Sequence, residues 1–133
     1  MAYVALDTDV ASNLIKGRLP GKVLAQLAPY SPCVTFVTLG ELTEWIITRS
    51  WGRRSVEAVE QFLMTVPVVG YNDEIARTWG RLSAATRLAG RPRPVNDMWN
   101  AACCVQQGLP LATLNAKDYE DFIDHGLVIL GAG

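Results

Sequence analysis

An α/β fold with a mostly parallel central sheet of four to five strands is what this 133-residue sequence predicts, and three observations predict it. Short apolar runs recur along the chain, with helical patterns filling the gaps between them, which is the alternation of a parallel sheet covered on both faces. Half of the residues are hydrophobic, enough for a sizeable core in what is most simply one domain over residues 1–133. The first apolar run, Tyr3-Val4-Ala5-Leu6, ends on Asp7 and breaks at once into Thr8-Asp9-Val10-Ala11-Ser12-Asn13. Two carboxylates and two hydroxyls therefore fall at the C-terminal edge of a strand, where open α/β sheets bind their ligands.

In order along the chain, strands end near Asp7 and near Phe36, the latter following Pro32. Three more are expected around residues 66–69, 111–113 and 128–130. A short helix begins at 12–16, and Gly17 and Pro20 separate it from a second over 22–27. The third, over 39–49, sets Leu42, Trp45 and Ile46 at core spacing; the fourth, over 54–64, does so with Val56, Val59, Phe62 and Leu63. The fifth carries Ile75, Trp79, Leu82 and Ala85 on one stripe, with Arg77 and Arg81 off it, Asn72 as N-cap and Glu74 in the first turn. After the stiff basic connector Gly90-Arg91-Pro92-Arg93-Pro94, a sixth helix runs from 96 or 97 to 107 and stops at Gly108 and Pro110. Asp118 is expected to cap a last short helix over 119–123.

Composition excludes several classes of function. The apolar stretches are far too short to cross a bilayer, and no basic region precedes an apolar segment near residue 1, so a cytosolic location is expected. Cys33, Cys103 and Cys104 form no CxxC pair, and His125 is the sole histidine. The cysteines read as reduced, buried filler, and neither a His-based triad nor a structural zinc site fits. Net charge is −1, yet residues 1–93 hold 11 Lys/Arg against 8 Asp/Glu, while 94–133 hold 1 against 5. The basic groups cluster as Lys16/Arg18/Lys22, Arg49/Arg53/Arg54 and Arg77/Arg81 through Arg87/Arg91/Arg93. Such clusters suit phosphates around an acidic centre, with solvated helix faces as the alternative.

Four acidic or amide positions stand out on this layout. Asp7 ends the first strand, Glu41 falls in the first turn of the third helix, and Asp97 opens the sixth. Asn115, with Asp118 three residues on, follows the fourth strand. They can converge on one end of the sheet, where carboxylates would otherwise repel one another unless a cation offsets them. Magnesium and manganese favour such hard oxygen ligands. Singly, Glu41 and Asp97 also read as helix first-turn acids answering the dipole, and Asn115 as a turn former.

The sequence resembles a PIN domain, and specifically the VapC toxins of bacterial VapBC toxin–antitoxin pairs. The matching stretches are Leu6-Asp7-Thr8-Asp9-Val10, Thr38-Leu39-Gly40-Glu41-Leu42, Asn96-Asp97-Met98-Trp99-Asn100-Ala101-Ala102, Leu111-Ala112-Thr113-Leu114-Asn115-Ala116-Lys117-Asp118-Tyr119 and Gly126-Leu127-Val128-Ile129. They occur in the family's order and approximate spacing and span nearly the whole chain. The resemblance implies a three-layer α/β/α sandwich and a magnesium- or manganese-dependent endoribonuclease that cleaves structured RNA (tRNA or rRNA). It also implies silencing by a cognate VapB-type antitoxin and a homodimer, assembling into a heterotetramer or larger with that antitoxin. Carried over by position, Asp7, Glu41 and Asp97 hold metal and Asn115 completes the catalytic set. Thr8 and Thr113 orient ligands or waters, and Arg53, Arg54, Arg91 and Arg93 are candidate RNA contacts. Asp9 stands where the first motif usually has Asn or Ser, and Asn115 where many members have Asp. Asp9 or Asp118 is available to supply that charge; the alternative is a site that holds one metal.

Two other readings compete. Asp7-Thr8-Asp9 also resembles the DxD pair of haloacid-dehalogenase-like phosphatases, but Lys117 is the only lysine after Lys22 and no Gly-Asp-based acidic pair follows it. A PIN-like RNA- or protein-binding module, decayed at Asn115, is the non-catalytic alternative. Apolar residues of the first four helices, including Leu14, Ile15, Val23, Leu24, Leu27, Trp45, Ile46, Ile47 and Trp51, are expected to contribute a groove for an antitoxin segment. Trp99 is expected to pack rather than to stack on RNA.

Overall fold

In the computed structural model, which describes residues 2–131, five strands form one sheet: β1 (Tyr3–Leu6), β2 (Ser31–Thr35), β3 (Val68–Val69), β4 (Leu111–Ala112) and β5 (Ile129–Leu130). Their order is β3-β2-β1-β4-β5, and every neighbouring pair is parallel. The chain builds outward from β1 in one direction through β2 and β3, then returns to its other side for β4 and β5. The C-terminal end of β1 is therefore the topological switch point, where the connections on either side diverge and leave a crevice.

Six helices cover the sheet: α1 (Thr8–Ile15), α2 (Gly21–Leu27), α3 (Phe36–Thr48), α4 (Arg53–Thr65), α5 (Asp73–Leu88) and α6 (Val95–Gln107). Because successive strand residues point to opposite faces, β1 feeds two cores. Val4 and Leu6 join Val10, Val23, Val34, Leu42 and Val59 on the α1–α4 side. Ala5 joins Cys33, Ile75, Leu82, Met98, Leu111 and Phe122 on the α5–α6 side. Leu42 is wholly buried, a position worth about 1.5–3 kcal/mol relative to exposure. The three cysteines are free and buried, as expected.

Local sequence fixes the ends of these helices. Asn72 caps α5 as expected, its Oδ1 accepting the Ile75 N–H at 2.8 Å. Asn72→Ala should therefore cost about 1 kcal/mol in chemical denaturation; unchanged stability would show the cap to be idle. Gly108, at φ 67°, closes α6 in the left-handed conformation that glycine adopts without penalty. Gly131, also at positive φ, lies so close to the Thr113 backbone that any side chain there would collide with it.

Four expectations need correction. α1 starts at Thr8 rather than at residue 12, because Asp7 itself caps the helix and accepts the Val10 N–H. α3 starts at Phe36 with no loop after β2, capped by Thr35, so Glu41 lies in its second turn rather than its first. Asp118 caps nothing: it ends a 3-10 turn, Ala116–Asp118, and the next one, Glu120–His125, follows Tyr119 without a side-chain cap. Val23 and Leu27, expected in a partner groove, are buried in the core. Of the other apolar residues named with them, Leu24 and Ile47 are exposed.

Candidate active site

The acids separated by up to 111 positions in sequence meet in a cleft of about 110 Å³ beyond the carboxyl ends of β1, β2 and β4. Asp7, Asp9, Glu41, Asp97 and Asp118 line it, together with Thr8, Trp45, Asn100, Asn115 and Tyr119. Asp7 arrives there because it terminates the central strand and begins α1. Glu41 projects from α3, which β2 launches directly, and Asp97 from the first turn of α6.

Each of the three principal carboxylates has its own hydroxyl donor. Thr113, immediately after β4, donates to Asp7 Oδ2 at 2.5 Å. Thr8 donates to Glu41 Oε1 at 2.6 Å, and Tyr119 donates to Asp97 Oδ1 at 3.3 Å. These bonds fix carboxylate orientation without neutralising charge. Tyr119 is held in turn: Asn100 Nδ2 donates to its hydroxyl at 3.2 Å, and Thr35 donates to Asn100 Oδ1 at 2.5 Å. A buried relay thus runs from the end of β2 through α6 to Asp97.

Electrostatics record the crowding. Burial pushes the Asp7 carboxyl up to about 6; the bonds from Thr113 and Val10 oppose this, while the charges of Asp9 and Asp97 add to it. Asp97 is raised mainly by burial and then by Asp118, with Tyr119 pulling the other way, Glu41 raising it further and Arg93 lowering it. The Tyr119 phenol is raised, chiefly by burial, so it stays protonated as a donor. Thr8, Thr113 and Asp9 lie where the sequence places them. Asn115 Nδ2 donates to Asp9 Oδ2 at 3.4 Å, and the Asn115 N–H donates to Thr113 Oγ1 at 3.0 Å. Five carboxylates line the cleft even with an amide at 115.

The donor set fits a hard divalent cation. All donors are oxygen or amide, and like charges are packed together at a cost that a cation would relieve. Among the described residues, no three acidic, Cys or His groups converge tightly enough to hold a metal unaided. That suits magnesium, which keeps several waters and takes only one or two carboxylates.

The candidate RNA contacts fare differently from one another. Arg53 pairs with Glu57 at 3.0 Å, and Arg91 with Asp121 at 3.0 Å. Arg93 lies between Asp118 and Asp121, 3.6 and 4.0 Å away, and so braces the acidic wall of the cleft. Arg54 is exposed with no ion pair among the described residues. Trp99 stacks on Trp79 at 5.1 Å and meets Phe36 edge-on at 5.7 Å, a packing role as expected. Sequence reasoning did not assign Asn100 or Tyr119 to the site. Asn100 carried a signal, a polar residue one turn after Asp97 in a small and apolar stretch, whereas Tyr119 carried none.

A family model described as the PIN domain matches residues 4–122. The chain is similar to Ribonuclease VapC1 of Haemophilus influenzae, 28% identical over 127 residues that cover 93% of this chain and 94% of the relative. It is also similar to the tRNA(fMet)-specific endonuclease VapC of Shigella flexneri, 27% identical over 90% of this chain and 92% of the relative. Among solved structures, VapBC-1 from nontypeable Haemophilus influenzae superposes with a TM-score of 0.80 at 26% identity, covering 98% of both chains. DNA-bound VapBC from Salmonella typhimurium gives 0.82 at 24%, also over 98% of both, a likeness of fold. The switch-point cleft, its acids and these matches lead to one conclusion: the chain belongs to the PIN domain family.

Proposed function

We propose that this protein is a VapC-type toxin: an endoribonuclease of the cytoplasm that cleaves structured RNA and is silenced by a cognate VapB-type antitoxin. The observation that carries the reading is the convergence of Asp7, Glu41 and Asp97, each with its own hydroxyl donor, in one cleft at the sheet's switch point. The relatives named as ribonucleases, and the solved VapBC complexes, support it. No helix among the described residues is long and apolar enough to cross a membrane. Membership of the PIN family sets the phosphatase reading of Asp7-Thr8-Asp9 aside.

Asp7, Glu41 and Asp97 would hold Mg2+, one or two of them directly and the rest through its retained waters, with Mn2+ able to substitute. A bound cation supplies Lewis acidity, lowering the pKa of water and offsetting charge that develops on phosphate oxygens. The chain's own groups do the remaining work. Thr113, Thr8 and Tyr119 hold the three carboxylates in register, which limits reorganisation during reaction. Asn115 orients Asp9, and Asp9 and Asp118 supply the negative charge that an amide at 115 lacks. For phosphate contact Arg54 is open, whereas Arg53, Arg91 and Arg93 must first release their acids.

The test is incubation of the purified, antitoxin-free protein with total cellular RNA in Mn2+, Mg2+ or EDTA. Discrete cuts in either metal and none in EDTA are expected. Intact RNA with folded protein in every metal, together with no saturable Mn2+ binding, would replace this reading with that of a decayed binding module.

A further inference from the structure

One flank of the acidic cleft is cationic and uncompensated. Trp45, which lines the cleft, carries the Arg49 guanidinium over its ring, 3.5 Å from the centroid. Trp51 meets Trp45 edge-on at 6.3 Å, and Lys16 Nζ lies 3.6 Å from the Trp51 centroid. Cleft, Trp45 with Arg49 and Trp51 with Lys16 are therefore continuous. The Lys16 ammonium is lowered first by desolvation and then by the charges of Arg18 and Arg49. Three cations from the ends of α1 and α3 thus share one field, although the sequence sets Arg49 in a different cluster from Lys16 and Arg18. None of the three has an ion pair among the described residues.

Resting on the ribonuclease reading, we propose that this ridge is the track for RNA on one side of the scissile phosphate, with Lys16, Arg18 and Arg49 taking backbone phosphates. A cleft lined by five carboxylates repels a polyanion, so neighbouring phosphates must be held by cations for one phosphate to enter. Stacking on indole rings holds Arg49 and Lys16 in place while their N–H groups stay available. Three unpaired like charges repel one another, and a polyanion is the ligand that turns this cost into affinity.

The experiment is fluorescence anisotropy of a labelled single-stranded RNA oligonucleotide in EDTA across a salt series, which needs no turnover. Lys16→Gln/Arg49→Gln should bind roughly 10–100-fold more weakly at low salt. Its slope of log K against log[salt] should be shallower by about 1.4, at about 0.7 for each single-strand phosphate no longer neutralised. Lys16→Arg/Arg49→Lys should keep the slope, as should Arg77→Gln, whose partner is Glu74. Should the double Gln variant not fold, Arg18→Gln at the exposed end should flatten the slope by about 0.7. Unchanged affinity and slope in folded variants overturn the proposal. So does a defect confined to binding an oligoglutamate peptide, which would make the ridge a contact for an acidic protein segment. Failure of the ribonuclease reading shows separately, as wild-type protein that binds RNA through the ridge but cuts none in Mn2+.

Discussion

Asp7→Asn should abolish RNA cleavage and at the same time make the metal-free protein more stable. The loss should be at least about a thousandfold, the scale of several kcal/mol that a correctly held cation contributes to phosphate charge stabilisation. The gain has its origin in burial. A carboxyl raised from 3.8 to about 6 on folding costs about 3 kcal/mol when ionised, at 1.36 kcal/mol per pK unit. An amide removes that charge. It keeps an oxygen for the Val10 N–H, but Thr113 must find another acceptor, so the net gain is about 1–3 kcal/mol.

The pH dependence follows from the direction of the shift. The folded state binds the proton more tightly than the unfolded state, so wild-type stability falls as pH rises between 3.8 and about 6. The penalty is complete above about 6 and absent below 3.8. Denaturation in EDTA should accordingly find Asp7→Asn ahead of wild type at about pH 7.5 and, near pH 4, level with it or behind it by up to about 2 kcal/mol, the Thr113 contribution alone. Manganese should stabilise the wild type, by about 2.7 kcal/mol at a hundredfold excess over its dissociation constant, and leave Asp7→Asn unmoved. A variant that is less stable in EDTA at that higher pH would show that the carboxylate is structural and its crowding imaginary.

Thr35→Val, nearly the same shape, should cost about 2–4 kcal/mol although it removes only one hydroxyl. That hydroxyl caps α3 by accepting the Thr38 N–H at 3.3 Å, a contribution of about 1 kcal/mol. It also donates to Asn100 Oδ1, and an amide oxygen left buried without its donor costs about 1–3 kcal/mol. Adding Asn100→Leu should recover part of the loss, because replacing both partners by apolar groups removes the orphan. The cap would stay broken. Denaturation of the single and double variants reads the coupling, and strictly additive losses would mean that Thr35 and Asn100 do not act as a pair.

The fold was legible in local pattern. All five strands and six helices follow from apolar periodicity and punctuation, because burial on a sheet face or a helix stripe imposes periods that a sequence displays directly. Helix starts are less legible. Asp7 and Thr35 act as caps while standing at strand ends, so α1 and α3 begin without the loop that turn residues would announce. Motif order points to Asp7, Glu41, Asp97, Asn115, Thr8, Asp9, Thr113 and Asp118, and all except Thr113 line the cleft; Thr113 reaches it by bonding Asp7.

Which donor serves which acid was decided only by tertiary structure. The strand order puts β4 beside β1 and so sets Thr113 against Asp7, across more than a hundred residues of chain. The relay from Thr35 through Asn100 and Tyr119 to Asp97 joins three elements that no local pattern connects. The same holds for the charges: folding pairs Arg91 and Arg93 with acids and brings Arg49 to Lys16 and Arg18 beside the cleft. Periodicity is a property of neighbours in sequence, whereas hydrogen bonds and fields depend on distance in space. The sequence by itself therefore determined the elements and the acids of this protein, and the parallel packing of the sheet decided their partners.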